Sequence, residues 1–202
     1  MQFQISRETL IKPLQLVTGV VERRQTLPVL SNVLLVLEGQ QLSMTGTDLE
    51  VELVGRVEVE SGAESGEVTV PARKLMDICK SLPDDAEMKF ALDDNKLVIR
   101  SGRSRFTLST LPPSDFPSVD GSAESLEFKV AQERLKQMLD STSFAMAQQD
   151  VRYYLNGMLF EVSPNYLRVV ASDGHRLAMD TEDMKTPAAS DMQVIVPRKG
   201  IL

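Results

Sequence analysis

The sequence has little of the material from which active sites are usually built. Its 202 residues include one histidine, one cysteine and no tryptophan, and aromatic residues make up only 5%. A lone cysteine, Cys79, excludes an intramolecular disulfide framework and suits a reducing cytosol. It falls in a helical pattern beside Leu75 and Ile78 and reads as a small buried hydrophobe. His175 has no second histidine with which to complete a metal site, so neither metal nor cofactor is expected. Neither G-x-G-x-x-G nor G-x-x-x-x-G-K-[ST] occurs, and no G-x-S-x-G elbow is present. A triad assembled from His175, Asp173 and a serine is the hydrolytic alternative. No run approaches the roughly 20 apolar residues of a membrane helix. Met1 leads directly into an alternating run at residues 3–5, so no signal peptide is expected.

What is present is ordinary core material: 42% hydrophobic and 25% charged residues, on a length suited to one and a half to two domains. The net charge of -7 argues mildly against nucleic acid, unless the two signs are segregated in space.

Self-similarity organises the chain. Phe3-Gln-Ile-Ser-Arg-Glu-Thr-Leu10 matches Phe128-Lys-Val-Ala-Gln-Glu-Arg-Leu135, and Leu42 and Asp48 match Leu167 and Asp173, all at an offset of 125 (3 to 128, 48 to 173). A shorter repeat aligns the run from Leu42 to Leu53 with that from Leu97 to Leu108, at an offset of 55 (42 to 97). Four segments open alike, with a β-branched residue followed five positions later by an apolar one: Ile5/Leu10, Val70/Leu75, Val130/Leu135 and Val196/Ile201. Each reads as a strand ending and a helix starting. Ser6 suits an N-cap, and Pro71 and Pro197 suit a first helical turn. Pro13 is expected to kink the first helix or tighten its opening. Alternating runs follow each helix, punctuated by Glu38-Gly39, Asp94-Asn95 and Asp173-Gly174. The unit is therefore β-α-β-β-β, two units make a module, and the fold class is α+β. Residues 111–122 read as a linker. The fourth unit reaches only the start of its helix at Leu202, so the chain is expected to be part of something longer.

The expected helices carry Arg7, Lys12, Arg73, Lys74, Lys80, Arg134, Lys136, Arg198 and Lys199, while the strands and turns are mainly acidic. If equivalent helices point the same way, they form a basic face able to hold phosphates without reading sequence. The alternative is a set of solvated helix faces, and charge alone leaves both open.

Seven segments in order resemble one family, the bacterial DNA polymerase III beta subunit, or sliding clamp. They are Thr45-Gly-Thr-Asp-Leu-Glu50, Val70-Pro-Ala-Arg-Lys74, Ser101-Gly-Arg-Ser-Arg-Phe106, Asp115-Phe-Pro117, Asp150-Val-Arg-Tyr-Tyr-Leu-Asn-Gly157, Ser172-Asp-Gly-His-Arg-Leu177 and Val196-Pro-Arg-Lys-Gly200. The resemblance implies a DNA clamp fold, with helices on the inner face and antiparallel sheets outside. Residues 1–123 would form a first domain with its linker and 124–202 an incomplete second, the third being absent. It implies a cytoplasmic, non-catalytic processivity factor that forms a homodimeric ring around double-stranded DNA and tethers the replicative polymerase, clamp loader and repair proteins. DNA contacts would fall on Arg24, Arg73, Gln149, Tyr153 and Tyr154, with Arg198 and Lys199 also facing the hole. A peptide groove would use Arg152, Leu155, Ser172, Gly174, His175, Arg176 and Leu177; threonine is commoner in the family at position 172. The ring contact would use Lys74, Arg103, Arg105, Phe106 and Leu108, on an exposed strand edge that needs a cover and would pair with a third domain. A repeat-built scaffold without a DNA role is the competing reading.

Overall fold

The computed structural model describes residues 1–21, 27–60, 62–117 and 126–201. The chain divides into two compact units, Met1–Val119 and Asp120–Leu202.

The first unit begins with β1 (Gln2–Ser6) and α1 (Arg7–Val20), then β2 (Asn32–Glu38), β3 (Gln41–Thr47) and β4 (Glu52–Glu58). A second pass gives β5 (Gly66–Pro71), α2 (Ala72–Ser81), β6 (Glu87–Asp93), β7 (Lys96–Ser101) and β8 (Ser104–Ser109). The expected β-α-β-β-β order is present twice, but the two passes exchange their first strands. β1 pairs antiparallel with β6, and β5 with β2, giving sheets β4-β3-β2-β5 and β1-β6-β7-β8. Each pass is thus completed by the other. Phe3 sits opposite Phe90 across that exchange, the rings stacked 4.5 Å apart.

Ser6 caps α1, its hydroxyl accepting from Thr9 N at 3.2 Å. The helix runs on through Pro13 to Val20, burying Leu10, Leu14 and Val17. Pro13 and Val17 pack on glycines: a Cβ on Gly55 would lie 2.9 Å from Pro13, and one on Gly46 2.8 Å from Val17 O. Cys79 is buried in α2, as its pattern requires, and burial pushes its thiol up to about 11.

Residues 111–116 differ from the free linker expected. Thr69 donates its hydroxyl to Leu111 O at 2.8 Å while accepting from Asn32 Nδ2 at 3.0 Å, and Phe116 is buried. This stretch lacks periodicity because it follows the surface of the first unit, anchored by individual bonds.

The second unit repeats the first at the 125-residue offset. α3 (Gln132–Thr142) and the short 3-10 turn Ser143–Ala145 stand for α1; β9 (Gly157–Ser163), β10 (Tyr166–Ser172) and β11 (Leu177–Asp183) stand for β2, β3 and β4. The register is the same: Leu34 opposite Thr45 becomes Leu159 opposite Val170, and Thr47 opposite Glu52 becomes Ser172 opposite Leu177. β12 (Met192–Pro197) joins β9 as β5 joins β2, and α4 (Arg198–Ile201) follows it. The strand expected around Val130 is not formed. Its counterpart β1 pairs with β6, whereas residues 126–131 pair with no strand among the described residues. Among the described residues no helix is long and apolar enough to cross a membrane.

Candidate functional site

The β10–β11 connection is a tight polar turn. Ser172 Oγ accepts from Gly174 N at 3.1 Å and donates to Arg176 O at 2.8 Å. Asp173 Oδ1 accepts from His175 N at 2.9 Å and from Arg176 N at 3.0 Å, and its Oδ2 accepts from Arg176 Nε at 2.9 Å. These donors, the His175 N–H foremost, hold the Asp173 carboxyl below the usual carboxylate range. Gly174 takes φ +87°, in the left-handed region that favours glycine. The turn uses only the hydroxyl of Ser172, so serine meets the requirement as threonine would. The triad reading finds no support in these bonds: Asp173 is engaged by backbone N–H groups and Arg176.

The loop before β9 leans on this turn. Asn156 is a staple, its Oδ1 accepting from Asp150 N and its Nδ2 donating to Asp150 O, both at 2.9 Å. Asp150 takes Arg152 N at 2.8 Å, Nε at 3.0 Å and Nη2 at 2.9 Å. The Arg152 side chain holds the Asp150 carboxyl down to about 2, and its own pKa is raised in return. Arg152 Nη2 also donates to Asp173 O at 3.4 Å, which ties the loop to the turn. Tyr153 and Tyr154 stand edge to face, 5.9 Å between centroids, both exposed. Gln149 adopts φ +58°.

An open pocket of about 540 Å³ gathers residues that the resemblance assigns to two different tasks. Gln149 and Arg198, named for DNA, line it together with His175 and Arg176, named for the peptide groove. Exposed Phe144 supplies an aromatic wall, with the Arg176 guanidinium 5.5 Å from its ring centroid. Leu177 is exposed and Leu155 half-buried, outside this lining. Phe144 carried no signal in the sequence, and Asp150 and Asn156, although part of the block at 150–157, were given no role there.

Several of the helix cations that suggested a basic face are already paired within their own unit. Arg134 is bound by Asp180 and Glu182, Lys136 by Asp140, and Arg7 by Asp84 and the Cys79 carbonyl. Lys12, Lys74 and Lys80 stay exposed; Arg73, also exposed, donates to Val21 O at 3.4 Å. Lys199 is exposed beside Arg198 at the start of α4. Arg24 lies outside the described residues.

The named ring-contact strand is an edge: β8 is the last strand of its sheet. The edge is exposed as expected, but its two apolar side chains face inward in this chain. Leu108 is buried opposite Leu97, and Phe106 is half-buried opposite Ile99, both turned into the unit's own core. An edge strand has two faces, and the apolar one is already covered. What β8 leaves open is its backbone edge and the exposed Arg103 and Arg105; Lys74 is exposed on α2.

The family profile described as DNA polymerase III beta subunit, N-terminal domain, matches residues 1–120, and that of its central domain matches residues 129–202. The chain is 68% identical over 202 residues to the Beta sliding clamp of Pseudomonas aeruginosa. It is 50% identical over the same length to that of Escherichia coli K12. Among solved structures, it is similar to the DNA polymerase III subunit beta from Pseudomonas aeruginosa, with TM-score 0.92 and 66% identity over all of this chain and 55% of that one. The Caulobacter crescentus beta sliding clamp gives 0.90 and 42%, again over 100% and 55%. A third similar structure, from Pseudomonas aeruginosa, has the clamp bound to griselimycin, with TM-score 0.92 and 68% identity over 100% and 55%. The chain spans 55% of the length of these curated relatives.

Proposed function

The chain belongs to the DNA polymerase III beta subunit family, and we propose on that premise that it acts in the cytoplasm as a non-catalytic holder of DNA and of partner peptides. Duplex DNA would be met through Arg24, Arg73, Gln149, Tyr153, Tyr154, Arg198 and Lys199, by phosphate contacts that carry no sequence information. Partner peptides from a polymerase or clamp loader would be met through Arg152, Leu155, Ser172, Gly174, His175, Arg176 and Leu177. Arg103, Arg105 and Lys74, with the open backbone edge of β8, would meet a neighbouring domain in the ring, where closure turns a weak sliding contact into a lasting tether. Nothing is cut or joined in this scheme. Tethering raises a partner's effective concentration at the primer end.

The observation that carries the reading is the convergence of Gln149 and Arg198 with His175 and Arg176 around one open pocket. A partner seated in the groove is then next to the DNA it must act on. Fluorescence anisotropy with a labelled duplex tests the DNA half. Affinity should fall steeply between about 50 and 200 mM salt, and Arg198→Ala should make that slope shallower by about one phosphate contact. A salt-independent association, or an unchanged slope in Arg198→Ala, would favour the scaffold without a DNA role.

A further inference from the structure

The turn at the centre of the groove has a twin in the first unit. At the 125-residue offset, residues 47–51 correspond to 172–176, and the bonds correspond one by one. Leu49 N donates to Thr47 Oγ1 at 3.0 Å, as Gly174 N does to Ser172 Oγ at 3.1 Å. Asp48 Oδ1 accepts from Glu50 N at 3.0 Å and Val51 N at 2.9 Å, as Asp173 Oδ1 accepts from His175 N and Arg176 N. Asp48 N donates to Val51 O at 3.3 Å, and Asp173 N to Arg176 O at 3.4 Å. The supporting segment repeats as well: Leu30 N donates to Leu27 O, and Leu155 N to Arg152 O. The backbone of the turn is therefore built twice, and by the same offset position 27 corresponds to position 152.

The side chains differ in a directed way. Leu27 replaces Arg152, Glu50 replaces His175, Val51 replaces Arg176 and Glu52 replaces Leu177. The cations are gone, two carboxylates are gained, and two leucines are presented to solvent, Leu27 at 49% and Leu49 at 56% exposure. Leu49 also has φ +78° where its twin is glycine. Three non-glycine residues among those described have positive φ, and Leu49 alone has a branched apolar side chain. A bulky side chain held in this region against its preference is the kind of outlier that clusters at functional positions.

We infer that residues 27 and 47–52 form a second docking surface, for an extended peptide whose apolar side chain is flanked by lysines or arginines. The apolar residue rests on Leu27 and Leu49, and the flanking cations meet Glu50 and Glu52. The opposite charge of the two turns separates their ligands: a basic peptide is repelled by Arg152 and Arg176 and attracted here. This inference rests on the repeated geometry and not on the DNA reading.

The test is nuclear magnetic resonance of the isotope-labelled 202-residue chain, titrated with acetyl-Lys-Leu-Lys-Leu-Lys-amide and its glutamate twin. The basic peptide should move the amide resonances of residues 27–31 and 47–53 saturably. Leu49→Gly should weaken that binding at least tenfold without lowering the melting temperature, since glycine suits the turn. Glu50→Lys should shift the preference toward the glutamate twin. No saturable shift, shifts confined to residues 152–177, or wild-type affinity in Leu49→Gly would overturn the inference.

Discussion

Gly174 and Arg152 share one space: a Cβ at position 174 would lie 3.0 Å from both terminal nitrogens of the Arg152 guanidinium. The guanidinium is the far end of a flexible side chain and can move aside, but the backbone at φ +87° cannot relax without breaking the turn. Gly174→Ala should therefore cost about 1–2 kcal/mol, the penalty for an L-residue in the left-handed region. It should also loosen the contact between Arg152 and Asp173 O. Thermal unfolding should register the first effect and the Arg152 side-chain resonances the second. An unchanged melt would mean that the turn takes another path in solution.

The repeat was legible because it is written in side chains that recur at fixed spacing: Leu42 with Leu167, Asp48 with Asp173. Period-two runs fixed the hairpins, and Ser6 fixed a helix start. The exchange of first strands was not legible, since Ile5 and Val70 open their units identically and nothing local says which sheet each joins. Residues 126–131 show the cost of that blindness: they keep the apolar alternation of β1, but a strand needs a partner as well as a pattern. The groove residues were placed by resemblance, whereas Asp150, Asn156 and Phe144 act through contacts that spacing alone does not encode. The inward facing of Phe106 and Leu108 was not legible, because alternation on an edge strand does not reveal which face the core has claimed.

Asp150 joins the loop before β9 to the β10–β11 turn through Arg152, and its ionisation reports on that joint. Its carboxyl is depressed to about 2 by Arg152. A depressed carboxyl stabilises above the ordinary value of about 3.8 and loses its contribution as pH falls through the folded value. The link should thus hold throughout neutral and mildly acidic solution and open only near pH 2. Carbon-detected titration of the Asp150 carboxyl should give a midpoint near 2, moving toward the ordinary value in Arg152→Ala. A midpoint near 3.8 in the parent chain would show Arg152 to be unattached.

The close approach of α1 to β3 depends on Gly46. A Cβ there would meet the Val17 carbonyl oxygen at 2.8 Å and the Val17 side chain at the same distance. Backbone oxygen cannot swing away, so helix and sheet must separate. Gly46→Ala should destabilise the first unit by about 1–3 kcal/mol, as overpacking does. Because the chain forms two compact units, the second should keep its hydrogen-exchange protection while residues 1–117 lose theirs. A uniform loss across both units would argue that they unfold as one.

Arg134 is a structural cation, and its behaviour can be set against the DNA contact proposed for Arg198. It donates to Asp180 Oδ1 at 2.8 Å and to Glu182 Oε2 at 2.6 Å, and Ser141 adds a bond to Asp180 at 3.2 Å. Arg134 is the main cause of the lowered Asp180 carboxyl. That lowering stabilises the fold above the ordinary carboxylate range and fades as pH falls below it. Arg134→Ala should lower the melting temperature of the second unit at pH 7, with the gap to the parent chain narrowing in acid. The same variant should leave the salt dependence of DNA association unchanged, because two carboxylates already neutralise the guanidinium and no phosphate counterion is displaced by it. Arg198→Ala should do the reverse, changing the salt slope and sparing the melt. If Arg134→Ala flattened the slope as Arg198→Ala does, the cation would be shared with DNA, and the ion pairs seen in the free chain would open when DNA binds.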